Sequence, residues 1–237
     1  MTDRDASKRA AATEAVERVR SGMVLGLGTG STTAHFLELL AARIDEGALE
    51  RVAGVPTSER TASAARSLGI PLTTLDRAPA LDLAVDGADE VDPGLDLIKG
   101  LGGALLREKI VAQAARRLVI VVDDSKLVER LGERGPLPVE VIPFGWQRQR
   151  EFARGLGADA ELRADGPEEP YVTDNGNYVL DCRFHGGIDD PVGVHDALRA
   201  RAGIVETGLF LKMASEVVVG GAAGVRSLCR EEEGGGP

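Results

Sequence analysis

Three carboxylates and two lysines fall where this chain can do chemistry. They are Asp86 and Asp89 in AVDGADEVD, Lys99 in LIKGLGG, Glu108 in LLREKIV and Lys126 in VVDDSK. Four of them lie at or just past the end of an apolar run that reads as a strand. Glu108 lies near the start of the helix that follows a glycine turn. Open α/β sheets hold their ligands beyond the carboxyl ends of their strands. Carboxylates and ammonium groups gathered there suit proton transfer on a small anionic substrate.

Each residue has a plainer reading as well. Asp86 and Asp89 flank Gly87-Ala88, and such a turn can aim both carboxylates at one polyol; it can equally be an ordinary Asp-rich turn. A metal site with Glu90 and Asp92 is a third reading, but the spacing is not that of a calcium loop and no His or Cys is near. Lys99 precedes Gly100-Leu101-Gly102-Gly103, where an ammonium can steady a developing oxyanion. The alternative, a solvated surface lysine, is weakened by scarcity, because the chain has 5 Lys against 23 Arg. Helical side chains lean toward the N-terminus, so Glu108 can point back over the glycine turn as a general base. A lone helical Glu would more simply pair with its neighbours.

Upstream, Gly26-Leu27-Gly28-Thr29-Gly30-Ser31-Thr32 joins a strand to a helix. Glycines let backbone amides approach an anion, the hydroxyls of Thr29, Ser31 and Thr32 add donors, and the helix N-terminus adds partial positive charge. Phosphate binding is favoured over a tight turn alone. No lysine follows the last glycine as in a Walker loop, and the third glycine of a dinucleotide fingerprint is missing. Lys8, on the first helix, can reach a phosphate or remain solvated. His35, His185 and His195 share no motif, and Ser31 and Ser125 have no evident His partner.

Elements able to position these groups are legible. The sequence predicts a helix over 5–20, a strand at 23–28, a helix over 31–44, a strand RVAGV, a helix ending at Gly69 and a strand IPLTTL. Strands LDLAVD and DLIK, the helix ALLREKIVAQAA and the strand RLVIVVD follow. Apolar runs alternating with helices indicate an α/β fold, a Rossmann-like, mainly parallel sheet with helices on both faces. Beyond GERGPLP the rhythm changes to strand VEVIP, a helix over 147–156, a strand near 160–163, a hairpin at Asn175-Gly176 and a helix begun by Asp190-Pro191. That order reads as a small α+β, ferredoxin-like domain. The expected division is 1–131 with 208–230 for the first domain and 132–207 for the second, EVVVGG returning to the first sheet. The acidic, glycine-rich 231–237 is expected to be disordered.

Composition limits the partners. A net charge of −10 argues against a nucleic-acid surface. No apolar stretch has the length of a membrane span. The first ten residues do not read as a signal peptide, and two unpaired cysteines fit a reducing, cytoplasmic setting.

The stretches GLGTGSTTAHF, VPTSERT, AVDGADEVD, LIKGLGGALLREKIV, VVDDSKLV, PVEVIPF, VTDNGNYVLD and VETGLF together resemble type A ribose-5-phosphate isomerase. They stand in the family's order and cover about 8–225. Leu101 occupies a position where some members carry glycine. The resemblance implies interconversion of ribose 5-phosphate and ribulose 5-phosphate without metal or organic cofactor, in the pentose phosphate pathway, by a homodimer or homotetramer. It implies that Glu108 transfers the proton. The substrate site would be lined by Thr29, Gly30, Ser31 and Thr32, by Asp86, Gly87, Ala88 and Asp89, and by Lys99, Gly100, Leu101 and Gly102, with Lys126 also in contact. On this footing Asp86, helped by Asp89, would open the furanose ring, and Lys99 would stabilise the enediolate. A non-catalytic sugar-phosphate sensor is one rival reading, against which stand Glu108 and Lys99 together; an amino-sugar phosphate deaminase and a coenzyme A transferase are others, and neither family matches the ordered motifs as well.

Overall fold

The strands of the main sheet alternate their side chains between two buried faces, and that alternation sets the architecture. The computed structural model describes residues 3–167 and 169–230. Six strands lie side by side in the order β13 (Gly224–Cys229), β12 (Glu216–Gly221), β6 (Leu118–Asp123), β3 (Leu83–Asp86), β1 (Val24–Leu27) and β2 (Ala53–Pro56). All neighbours are parallel except the β12–β13 pair. On one face Leu25, Leu27, Leu83, Val85, Val119, Val121 and Val218 pack against α1 (Asp3–Val16), α2 (Ser31–Asp45) and Ala65 of α3 (Glu59–Ser67). On the other, Ala84, Ile120, Val122, Val217 and Val219 meet Val111 and Ala112 of α4 (Leu105–Ala114). Burial on both faces is what a parallel sheet requires.

Strand order reverses direction between β1 and β3, the switch point where doubly wound sheets open a crevice. α4 comes very close to the sheet there. A Cβ on Gly26 would lie 2.5 Å from Val111 Cγ1 and 2.8 Å from Ala84 Cβ. Val111 is one turn beyond Glu108 on the same helix face, so this contact sets Glu108 over the switch point.

A second sheet has the order β10 (Ile204–Thr207), β7 (Leu137–Val141), β9 (Tyr178–Arg183), β8 (Asp159–Leu162), with all pairs antiparallel. With α5 (Trp146–Gly155) and α6 (Pro191–Arg199) the chain order is β-α-β-β-α-β, the ferredoxin-like arrangement. Asp190 caps α6 by accepting from Gly193 N at 2.9 Å. A three-stranded sheet joins β11 (Leu209–Phe210), which follows β10, to β5 (Leu97–Ile98) and β4 (Glu90–Val91), which lie between β3 and β6 in sequence, and Lys99 follows β5.

The fold corrects several local expectations. IPLTTL forms only a single bridge, Leu72 to Gly54; Pro71 has no N–H to extend a ladder. Asn175-Gly176 makes a turn, closed by Thr173 N to Asn177 O at 2.9 Å, but only its downstream arm is a strand, and β9 pairs with β7 and β8. α2 has Gly30 at its cap position, φ 146°, with no side-chain cap hydrogen bond. IVETGLF forms the edge strand β10 of the small sheet and then β11. Residues 231–237, expected to be disordered, lie outside the described residues.

Candidate active site

Local sequence builds the site from four loops at the switch point. After β1 the chain passes through Gly28, where a Cβ would lie 2.1 Å from Asp86 Oδ1, so only glycine lets the loop descend onto β3. Thr29 N then donates to that same Asp86 oxygen at 3.0 Å. The Thr29 hydroxyl sits among those of Thr57, Ser58 and Thr61 at 2.8, 2.8 and 2.9 Å, which pins the start of α3 to the loop. Ser58 caps α3, accepting from Thr61 N at 3.0 Å. With no side-chain cap of its own, α2 turns its free amides and its positive end to the cleft.

Lys99 is the centre of the charge arrangement. Its side chain is 3% exposed, and Nζ lies 2.6 Å from Gly87 O, 3.0 Å from Asp86 Oδ2 and 3.2 Å from Glu108 Oε2. The Phe210 ring lies beneath it, 5.3 Å away at the centroid. Burial alone would lower the Lys99 pKa, but Asp86 and then Glu108 outweigh it, so the ammonium is held charged. Burial pushes the Asp86 carboxyl up against the pull of Lys99.

Glu108, 4% exposed, is pushed up to about 8, first by burial and then by the Asp86 charge, with Lys99 opposing. Burial therefore wins the contest that the sequence leaves open. Glu108 Oε2 has no aligned hydrogen bond among the described residues despite its nearness to Lys99. Its neighbours on α4 hold it in place. Arg107 reaches Glu59, Asn175 and Asp174 O, each at 2.9 Å. Lys109 reaches Glu206 at 2.9 Å and the carbonyls of Thr207 and Leu209 at 2.7 Å. Neither residue pairs with Glu108, contrary to the simpler expectation for a helical Glu.

A cleft of about 140 Å³ opens above this centre. Thr29, Gly30, Ser31, Thr32, Gly87, Ala88, Asp89, Lys99, Gly100, Gly102, Glu108, Lys126 and Lys8 all line it. Lys8 Nζ donates to Ser31 Oγ at 2.9 Å, which brings the first helix to the mouth. Two residues singled out from sequence stand apart from the lining. Asp86 is buried beneath it, its oxygens taken by Thr29 N, Gly87 N and Lys99. The Leu101 side chain faces solvent, while its N–H donates to Asp89 Oδ2 at 2.9 Å. Arg60 at the start of α3 also lines the cleft and was not legible, since nothing in VPTSERT distinguishes it from a solvated arginine.

The acidic cluster near Asp86 does not converge on a cation. Glu90 turns away and accepts from the amides of Gly132, Arg134 and Gly135 at 2.6–2.9 Å. Among the described residues no group of three or more His, Cys, Asp or Glu side chains is arranged to hold a metal ion, and no helix is long and apolar enough to cross a membrane. A larger groove of about 670 Å³, lined by residues of both α3 and α4, contains none of the buried carboxylate–lysine cluster.

A doubly wound sheet whose switch point joins an uncapped helix start to a lysine buried between two carboxylates falls in the class of α/β enzymes that move protons on small anions. Comparison with known proteins narrows the class. The family model for ribose 5-phosphate isomerase A (phosphoriboisomerase A) matches residues 53–224. Ribose-5-phosphate isomerase A of Roseiflexus castenholzii is 57% identical over 221 residues, 93% of this chain and 94% of that one. A solved D-ribose-5-phosphate isomerase in complex with phospho-erythronic acid superposes with a TM-score of 0.94 at 42% identity, covering 97% of this chain and all of the other. The Plasmodium falciparum ribose 5-phosphate isomerase does so with a TM-score of 0.92 at 37% identity, over 96% of this chain and 100% of its own. The chain belongs to the ribose 5-phosphate isomerase A family.

Proposed function

We propose that this chain interconverts D-ribose 5-phosphate and D-ribulose 5-phosphate by moving a proton between C2 and C1 through a cis-enediol. The observation that carries the reading is Glu108: a buried carboxylate pushed up to about 8, with an unbonded oxygen, 3.2 Å from a charged lysine. A base whose pKa lies near the working pH is well matched to taking a carbon-bound proton.

The phosphate sits at the open start of α2, with Ser31, Thr32, Lys8, Lys126 and Arg60 around it. Asp89 lines the cleft and exchanges protons with the ring oxygen and hydroxyl as the furanose opens. Asp86 is fully engaged below the cleft floor, so its part is to hold Lys99 and the Thr29 loop in register. Glu108 takes the C2 proton, and the oxygen that becomes anionic is met by Lys99 and by amides of the glycine turn. One such donor is worth about 3 kcal/mol of barrier. The O2 proton passes to O1, and Glu108 returns its proton to C1 as O2 becomes the ketone oxygen. The phospho-erythronic acid of the solved relative supports this reading, because its carboxylate has the planarity and charge of an enediolate on a phosphorylated chain.

The same reading includes no resident metal or organic cofactor, a cytoplasmic setting in the pentose phosphate pathway and a homodimer or homotetramer. The proposed domains are 1–131 with 208–230, and 132–207; the four-stranded sheet within 132–207 supports that division.

The test is to follow ribose 5-phosphate conversion by the purified chain with EDTA present. Turnover unaffected by the chelator is expected. A folded chain that leaves ribose 5-phosphate unchanged overturns the proposal.

A further inference from the structure

Resting on that reading, we propose that Arg163, from the small antiparallel sheet, is a positioning residue that aims the Gly102 N–H into the cleft as a donor to the enediolate oxygen. Arg163 stands just past β8. Its N–H donates to Val179 O at 2.8 Å and its carbonyl accepts from Tyr171 N at 2.9 Å, which fixes its backbone. Asp181 binds its fork through both carboxylate oxygens, with Nε to Oδ2 at 3.0 Å, and the guanidinium lies 5.6 Å from the Tyr171 ring centroid. From this mount Nη1 donates to two successive carbonyls of the glycine turn, Gly100 O at 3.0 Å and Leu101 O at 3.1 Å.

Peptide planarity turns those two bonds into an orientation. In a trans peptide the N–H points opposite to the C=O of the same plane. The first plane shows the consequence directly: Gly100 O faces Arg163, and Leu101 N–H faces the other way, to Asp89 Oδ2 at 2.9 Å. The second plane has its carbonyl on the same nitrogen, so Gly102 N–H also points away from Arg163. Gly102 lines the cleft with Lys99 and Glu108, and its N–H has no protein acceptor among the described residues. The turn can take this shape because Gly100 and Gly103 adopt φ 107° and 78°, and because Gly103 leaves room for Tyr171, whose Oη a Cβ would approach to 2.0 Å. An amide held this way costs no reorganisation as charge develops. Because Arg163 meets the turn at carbonyls on its far side, it acts through Gly102.

The test compares the parent with Arg163→Met and Arg163→Lys. Arg163→Met should lower kcat by about 100-fold, the low end of the range for loss of one oxyanion donor, with KM for ribose 5-phosphate nearly unchanged. Phospho-erythronic acid should bind more weakly by a similar factor, while inhibition by inorganic phosphate should stay the same. Arg163→Lys should recover part of kcat. In the parent, the Gly102 amide resonance should shift with phospho-erythronic acid and not with phosphate, a readout that needs no variant to fold. Unchanged kcat in Arg163→Met, equal weakening of phosphate and phospho-erythronic acid, or a Gly102 resonance indifferent to phospho-erythronic acid would each overturn the proposal. Absence of turnover in the parent would instead defeat the isomerase reading itself.

Discussion

Replacing Glu108 by Gln should stabilise the fold while removing catalysis, and the gain should depend on pH. The carboxyl has a pKa near 4.5 in an ordinary setting and about 8 in the folded protein. The folded state therefore binds this proton more tightly than the unfolded chain, so stability is fully present below about pH 4.5 and is lost as pH rises through about 8. At pH 7 the lost stability corresponds to 2.5 pKa units, or about 3 kcal/mol. Gln cannot ionise and avoids that loss, but it also leaves Lys99 with Asp86 as its nearest anion, which offsets part of the gain. A net stabilisation of about 2 kcal/mol at pH 8 is expected, shrinking to nothing near pH 5. For a chain of this size that is roughly 4–8 °C in Tm. The assay is paired thermal or urea unfolding of parent and variant from pH 5 to 8.5. A difference that stays flat across that range, or a parent that is the more stable at pH 8, refutes the placement of a neutral carboxyl in the buried cluster.

Three further outcomes follow from the geometry. kcat/KM for ribose 5-phosphate should rise with pH with an apparent pKa near 8, a value belonging to the Asp86–Glu108 pair as a unit; a profile flat from pH 6.5 to 9 would count against Glu108 as the base. Gly28→Ala should force Asp86 away from Lys99, since the added carbon would meet its carboxylate at 2.1 Å, and should lower turnover at least about 100-fold; near-parent kinetics would mean the loop does not need that approach. Arg60→Ala should raise KM for ribose 5-phosphate about tenfold at nearly constant kcat, as loss of one charge-assisted hydrogen bond to the phosphate would, and an unchanged KM would remove Arg60 from that role.

The frame of this molecule is written in its strands. VLGL, LAVD and LVIVVD announce buried parallel strands because both of their faces must be apolar, and the residues just past their ends fall at the switch point as the topology requires. Lys99 stood out by scarcity and Glu108 by its place after a glycine turn. Other features leave no local mark. β4 is two residues long, and β13 is a largely exposed edge whose GVRSLC lacks a buried alternation. Arg60 and Arg163 are two among 23 arginines, and only the packing of distant segments sets them apart. The balance on Glu108 was also illegible, because burial is a property of the assembled core. Asp86 looked like a group aimed at substrate, yet closure of the Gly28 loop puts it under the cleft.

The central claim is that Glu108 removes the C2 proton. Its most direct test uses ribose 5-phosphate deuterated at C2, with the loss or migration of that label followed by NMR in parent and Glu108→Gln, each first shown to bind phospho-erythronic acid. The account predicts that the parent breaks the C2–D bond and that the variant does so at least about 1,000-fold more slowly with its ligand affinity preserved. Label leaving C2 at a comparable rate in the two proteins would contradict it.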